Sequence, residues 1–300
     1  MNLYQFFGAL ELGFLYGLIA MGVWLSFRIL DFPDLTVDGS FPMGAAICAI
    51  FIVSGVDPWI ATAAAIVGGM IAGLTTAWIS VRFNILHLLA SILTMTALYS
   101  INLRIMGRPN IGLLGEDTIF TPLENLGIPS GTITITVMFL LVILVLYGVH
   151  RFLSSEMGLA MRATGANDKM ASAQGVSKKK MTILGLAISN GLVALAGALF
   201  AQSQGFADVT MGVGTIIIGL AAVIVGEAIL NPRIIITALF ACILGSILYR
   251  LTITLALNAT FLGLQASDLN LITALLVGVA MMTPRLRSKL VDFKARRGAA

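Results

Sequence analysis

The chain has 300 residues, 58% of them hydrophobic and only 11% charged, with 18 Lys and Arg against 14 Asp and Glu. Ordinary soluble domains carry about 25% charged residues, so this composition excludes a soluble protein and predicts an all-α, polytopic membrane protein whose exterior faces lipid. The basic residues are dispersed, clustering only at Lys178–Lys180 and from Arg285 to Arg297; that is the pattern of membrane loops, and no nucleic-acid partner is expected.

A spanning helix needs about 20 mostly apolar residues. The first apolar run, 6–27, is preceded by no positively charged segment and is expected to remain as a span. Asp31-Phe32-Pro33-Asp34-Leu35-Thr36-Val37-Asp38-Gly39 follows, and its three carboxylates and proline break the helix before a shorter run at 40–54. Further runs lie at 58–80, 85–103, 132–150, 181–201, 212–230, 234–252 and 269–283, which predicts nine crossings, within a range of 8–10. Residues 1–283 therefore read as one transmembrane domain and 284–300 as a basic tail.

Orientation follows from the bias of Lys and Arg towards the cytoplasm. With the tail inside, the inner loops and tail hold fifteen basic residues, and the outer loops hold three, Arg104, Arg108 and Arg250. The outer connection 104–131 has no helical period. The inner segment 158–175 is too polar to span and is rich in small residues, which fits a short cytoplasmic helix on the membrane surface.

An internal repeat is also legible. Phe32-Pro33-Asp34-Leu35-Thr36-Val37 matches Phe206-Ala207-Asp208-Val209-Thr210-Met211 at an offset of 174 residues, with five crossings between the copies. The copies then face opposite sides of the membrane, as in inverted-repeat transporters with broken helices at matching places.

The sequence offers little to an enzyme. It has no phosphate-binding loop, no His-Glu-x-x-His, no Cys-x-x-Cys and no Gly-x-Ser-x-Gly. Cys48, Cys242, His87 and His150 are expected to pack rather than bind, so neither metal nor cofactor is expected. Polar groups beside apolar runs matter most, because unpaired they cost several kcal/mol in hydrocarbon. Asp34, Thr36, Asp38, Asp208 and Glu227 are the candidates for the path or its gate. Helix capping competes with that role, by Asp38 for 40–54 and by Asp208 for 212–230, and Glu227 is within reach of Arg233. Glu11, Asn102, Ser189, Asn190 and Gln202 are further candidates, with interhelix hydrogen bonding as the alternative. Gly13-x-x-x-Gly17 and Gly69-x-x-x-Gly73 read as close-packing faces.

The inner segment and the next span carry a resemblance. Gly158, Arg162-Ala163, Gly165, Asn167, Ala171 and Gly175 precede Ser189-Asn190-Gly191-Leu192 and Ala194-Leu195-Ala196-Gly197-Ala198-Leu199. This arrangement resembles permeases of ABC importers in the branched-chain amino acid and ribose permease superfamily, over residues 10–283. The 31–41 segment looks like the subgroup of tryptophan- and tyrosine-type uptake systems. Val225-Gly226-Glu227-Ala228 departs from the Gly-Gly of the amino acid and sugar branches, so their substrates do not carry over. The resemblance implies a multi-pass protein of a bacterial-type cytoplasmic membrane, with a cytoplasmic C-terminus and no catalysis of its own. It implies three partners: a separate ABC ATPase subunit, an extracytoplasmic substrate-binding lipoprotein and a second permease copy. Arg162, Ala163, Gly165, Asn167, Ala171 and Gly175 would couple to the ATPase. An ion- or proton-coupled secondary transporter is the competing reading, supported by the repeat and the intramembrane carboxylates.

Overall fold

The computed structural model describes residues 3–124, 130–258 and Gly278. The ninth predicted span, 269–283, and the 284–300 tail lie outside the described residues, save Gly278. Among the described residues, six helices are long and apolar enough to cross a membrane. They are α1 (Leu3–Trp24, continued by a π-helical turn Leu25–Ile29), α3 (Pro58–Phe83), α4 (His87–Met106), α6 (Ser130–Leu153), α9 (Lys178–Gln204) and α11 (Ile235–Asn258). Two shorter apolar helices, α2 (Val37–Val53) and α10 (Thr215–Leu230), follow the two copies of the repeated motif. At 1.5 Å per residue they reach about 25 Å, less than the roughly 30 Å hydrocarbon core.

Local chemistry sets the breaks. Asp57 caps α3, accepting hydrogen bonds from the Trp59 and Ile60 backbone N–H groups, with Pro58 in the first turn. Helices α4 and α9 end on left-handed glycines, Gly107 (φ 67°) and Gly205 (φ 75°), which carry no Cβ penalty there. The short strands β1 (Asn110–Gly112) and β2 (Phe206–Asp208) pair antiparallel, with Ile111 opposite Ala207. A single turn, α5 (Thr121–Glu124), precedes α6. The expected surface helix is two helices, α7 (Glu156–Ala166) and α8 (Asp168–Ala173), hinged at Asn167.

Helix α9 is the centre of the fold, buried continuously from Ser189 to Leu199. It runs antiparallel to α1: Ser189 Oγ donates to the Gly22 carbonyl (2.7 Å) and Gln204 Nε2 donates to Glu11 Oε1 (3.2 Å). The 174-residue offset carries α1 onto α9, α2 onto α10 and α3 onto α11, and packing follows it. Helix α9 packs on α2 and α3, while α1 packs on α10 and α11. Both predicted glycine faces serve these seams. Gly69 and Gly73 lie against the α9 backbone at Asn190 and Leu186, and Gly13 and Gly17 lie against Ile247 and Ile243 of α11. A Cβ on Gly73 would overlap the Leu186 carbonyl, so those helices approach at backbone distance.

Candidate translocation core and coupling surface

The chain leaves α1 through its π-helical turn, passes Asp31 in a left-handed conformation (φ 52°) and buries the corner beneath it. Phe32, Asp34 and Thr36 are inaccessible or nearly so. Asp34 Oδ1 accepts from the Thr36 N–H (2.9 Å) and Oδ2 from Asn190 Nδ2 (2.7 Å). Asn190 Oδ1 accepts from Ser40 Oγ (2.6 Å), and the Thr36 and Thr76 hydroxyls share a hydrogen bond of 2.7 Å. The result is a closed polar cluster that ties α2, α3 and α9 together inside an apolar bundle.

Asp208 makes the same local turn in the other half. Its Oδ1 accepts from the Thr210 N–H (2.7 Å) and hydroxyl (2.5 Å), and Asn110 Nδ2 donates to Oδ2 (3.3 Å). It sits on β2, partly exposed, and the Thr210 hydroxyl holds its carboxyl below the usual carboxylate range.

The two broken segments meet at Asp38. Its Oδ2 accepts from the Gly214 N–H (3.1 Å) and its Oδ1 from the Ile216 N–H (2.8 Å). Asp38 is thus a cap, but of α10 rather than of its own helix, and Asp208 bonds its own turn and Asn110 instead of capping α10. Glu227 also differs from expectation: it pairs with Arg28 at the end of α1, not with Arg233, accepting from both Arg28 Nε (3.1 Å) and Nη2. These carboxylates therefore bridge elements distant in sequence.

On α7 and α8, residues divide by face. Gly165 rests on the Ile29 carbonyl, and Ala171 is buried. Ala163, Asn167 and Gly175 are exposed, and Arg162 is half-buried. Asn167 Oδ1 caps α8 by accepting from the Met170 N–H (3.0 Å), and Lys178 Nζ meets Asp168 Oδ2 (2.5 Å). That hydrogen bond holds the Asp168 carboxyl below its ordinary range.

The profile of the family described as "Branched-chain amino acid transport system / permease component" matches residues 5–282. The chain belongs to that family. The permease is 39% identical to a tyrosine transport system permease protein of Clostridioides difficile (strain R20291), over 93% of this chain and 91% of that one. It is 35% identical to an uncharacterised protein of Rickettsia prowazekii (strain Madrid E), over 91% of this chain and 95% of that one. Among solved structures, PsaBC from Streptococcus pneumoniae in complex with Fab shares the fold, with a TM-score of 0.50 and 17% identity over 91% of this chain and 89% of that one.

The structure also singles out residues that sequence reasoning missed. Met157, Leu159 and Met170 project from α7 and α8 with about half or more of their surface exposed. Large apolar side chains in an otherwise polar segment were the available signal. Arg250, expected in an outer loop, lies inside α11 with its guanidinium carbon 5.8 Å from the Tyr16 ring centroid. The remaining candidates are interhelix hydrogen bonds. Asn102 Nδ2 donates to the Gly39 carbonyl (3.1 Å), and Gln202 joins Ile119 to Thr62. No group of three or more metal-ligating side chains occurs among the described residues.

Proposed function

We propose that this permease is the membrane subunit of an ATP-driven importer for an amino acid, working as a pair of copies in a bacterial-type cytoplasmic membrane. A separate ATPase would dock on the cytoplasmic α7–α8 face, and an extracytoplasmic binding protein would deliver solute to the opposite face. The observation that carries the reading is the seating of α7: Gly165 rests on Ile29, so force on the exposed Met157, Leu159 and Met170 side chains reaches the end of α1 directly. From there the Arg28–Glu227 pair leads to α10 and the buried corner leads to α9. Arg162, Ala163, Gly165, Asn167, Ala171 and Gly175 act as the coupling set, and Asp34, Thr36, Asp38, Asp208 and Glu227 shape the path or its gate. An aromatic amino acid is the first substrate to try, because a relative 39% identical is a tyrosine transport permease.

A secondary transporter draws support from the inverted halves and their buried carboxylates. Reconstitution in liposomes with a candidate ATPase and binding protein from the same genome separates the two readings. Uptake of labelled tyrosine that requires ATP and stops without the ATPase is the expected result. Uptake driven by a proton gradient alone would replace this reading with the second.

A further inference from the structure

The 174-residue offset pairs two cradles. In the first, Asn190 of α9 donates to Asp34 and Thr76 of α3 shares a hydrogen bond with Thr36, so the 32–36 corner sits between the two helices. The equivalent positions in the other half are Tyr16 of α1, Arg250 of α11 and Asp208. Packing obeys the same correspondence: Gln204 meets Glu11 where Leu30 meets Gly185, and Ile243 meets Gly17 where Gly69 meets α9.

The second cradle is not filled by its corner. Asp208 stays on β2 with Thr210 and Asn110. A cleft of about 430 Å³ opens between α1 and α11, with Leu12, Gln204, Arg250 and Ile253 in its wall. Arg250 stands within α11, followed by at least eight more helical residues, about 12 Å of helix. Neither ion pair among the described residues includes it, and its Nε has no hydrogen-bond partner among them. A cation at that depth is costly unless it meets a counter-charge or lines a water-filled cavity. The first half supplies a carboxylate from its own chain; the second supplies the fork that receives one. The guanidinium carbon lies 5.8 Å from the Tyr16 ring centroid, within cation–π reach, and a guanidinium can give two parallel hydrogen bonds to an oxyanion.

We infer that the α1–α11 cleft is an oxyanion-binding site anchored by Arg250. The oxyanion is the carboxylate of the transported amino acid or the phosphate of a lipid in the adjoining leaflet. The solute arm rests on the amino acid importer reading. Binding is measured on the purified full chain without ATPase or ATP, so failure here leaves ATP-driven uptake to its own test.

The chain in maltoside detergent is titrated with L-tyrosine and with tyramine, which lacks the carboxylate. In parallel it is titrated with phosphatidylglycerol and with a phosphate-free galactolipid. Thermal-unfolding shifts report binding. The expected result is that one acidic probe binds, its acid-free analogue does not, and Arg250→Gln weakens binding at least ~10-fold, in keeping with loss of a charge-assisted bidentate pair. A response to tyrosine assigns the solute, and one to phosphatidylglycerol assigns the lipid. Equal behaviour of wild type and Arg250→Gln towards both acids overturns the site. If the glutamine variant does not fold, Arg250→Lys carries the test: weaker binding supports the guanidinium fork, and unchanged affinity overturns it. A spontaneous disulfide in the Asp208→Cys/Arg250→Cys chain would also overturn it, because the chain's own corner would then fill the cleft.

Discussion

The Asp34 and Asp208 corners share a motif, a side-chain turn and a place before a short helix, yet they meet opposite environments. Asp34 is wholly buried and holds Asn190 at the centre of the bundle; Asp208 is partly exposed on the two-stranded sheet and holds its own turn and Asn110 of the paired strand. The same six-residue pattern therefore builds a keystone on one side and a surface turn on the other. The local turn belongs to the motif, whereas the energetic weight of the carboxylate belongs to what packs over it.

Truncating the carboxylate at each corner has the most unequal effect. Asp34→Ala strips the acceptor from Asn190 and from the Thr36 N–H in a dry site, an expected cost of about 2–3 kcal/mol. Asp208→Ala is expected to cost less than about 1 kcal/mol, because water replaces its partners. Thermal unfolding of the two variants in detergent measures the ratio, and equal losses would contradict the contrast. Gly165→Val overpacks the seat on Ile29, which only the first corner possesses. The overpacked contact costs about 1–3 kcal/mol, and uptake should fall well below that of the wild type while membrane abundance is largely kept. Normal uptake would remove Gly165 from the coupling route.

Asp38→Ala should cost about 1–2 kcal/mol through two lost cap bonds, and hydrogen exchange should quicken at Gly214 and Ile216 rather than in α2. Asp34→Asn comes next, at about 1 kcal/mol: a flipped Asn190 amide can accept from the new side chain while donating to Ser40. A proton-coupled carrier predicts instead that Asp34→Asn stops uptake as fully as alanine.

The smallest effect is a pH dependence at Asp208. Its carboxyl is held low in the folded protein, so it contributes stability above the unfolded carboxylate range, near pH 4. That contribution is lost as pH falls through the lower folded value. Asp208→Asn should flatten that small slope in thermal unfolding; an unchanged slope would place its origin elsewhere.

Much of the fold was legible because apolar run length is a local property. Runs such as 58–80 and 181–201 fall within α3 and α9, and the 174-residue repeat is visible in six residues. What stayed hidden was every partner choice across the bundle. Nothing near Asp38 shows that it caps a helix 176 residues away, and nothing near Glu227 favours Arg28 over the nearer Arg233. Arg250 was misplaced because a charged residue near the end of an apolar run looks like a loop boundary. Helix α11 continues beyond it to Asn258, with the Arg250 guanidinium carbon 5.8 Å from the Tyr16 ring centroid of α1.

The cap on α10 has a consequence for assembly. Gly214, at the head of that helix, has no side chain with which to satisfy the N–H groups behind it, and Asp38 supplies the acceptor from the other half. During synthesis Asp38 leaves the ribosome long before α10 does, so the acceptor is in the bilayer before its helix exists. If the chain were split between the halves, the later fragment would carry a frayed start to α10 until the earlier one joined it. The cap of the later half thus depends on the earlier one, and the order of translation matches the order in which that cap is completed.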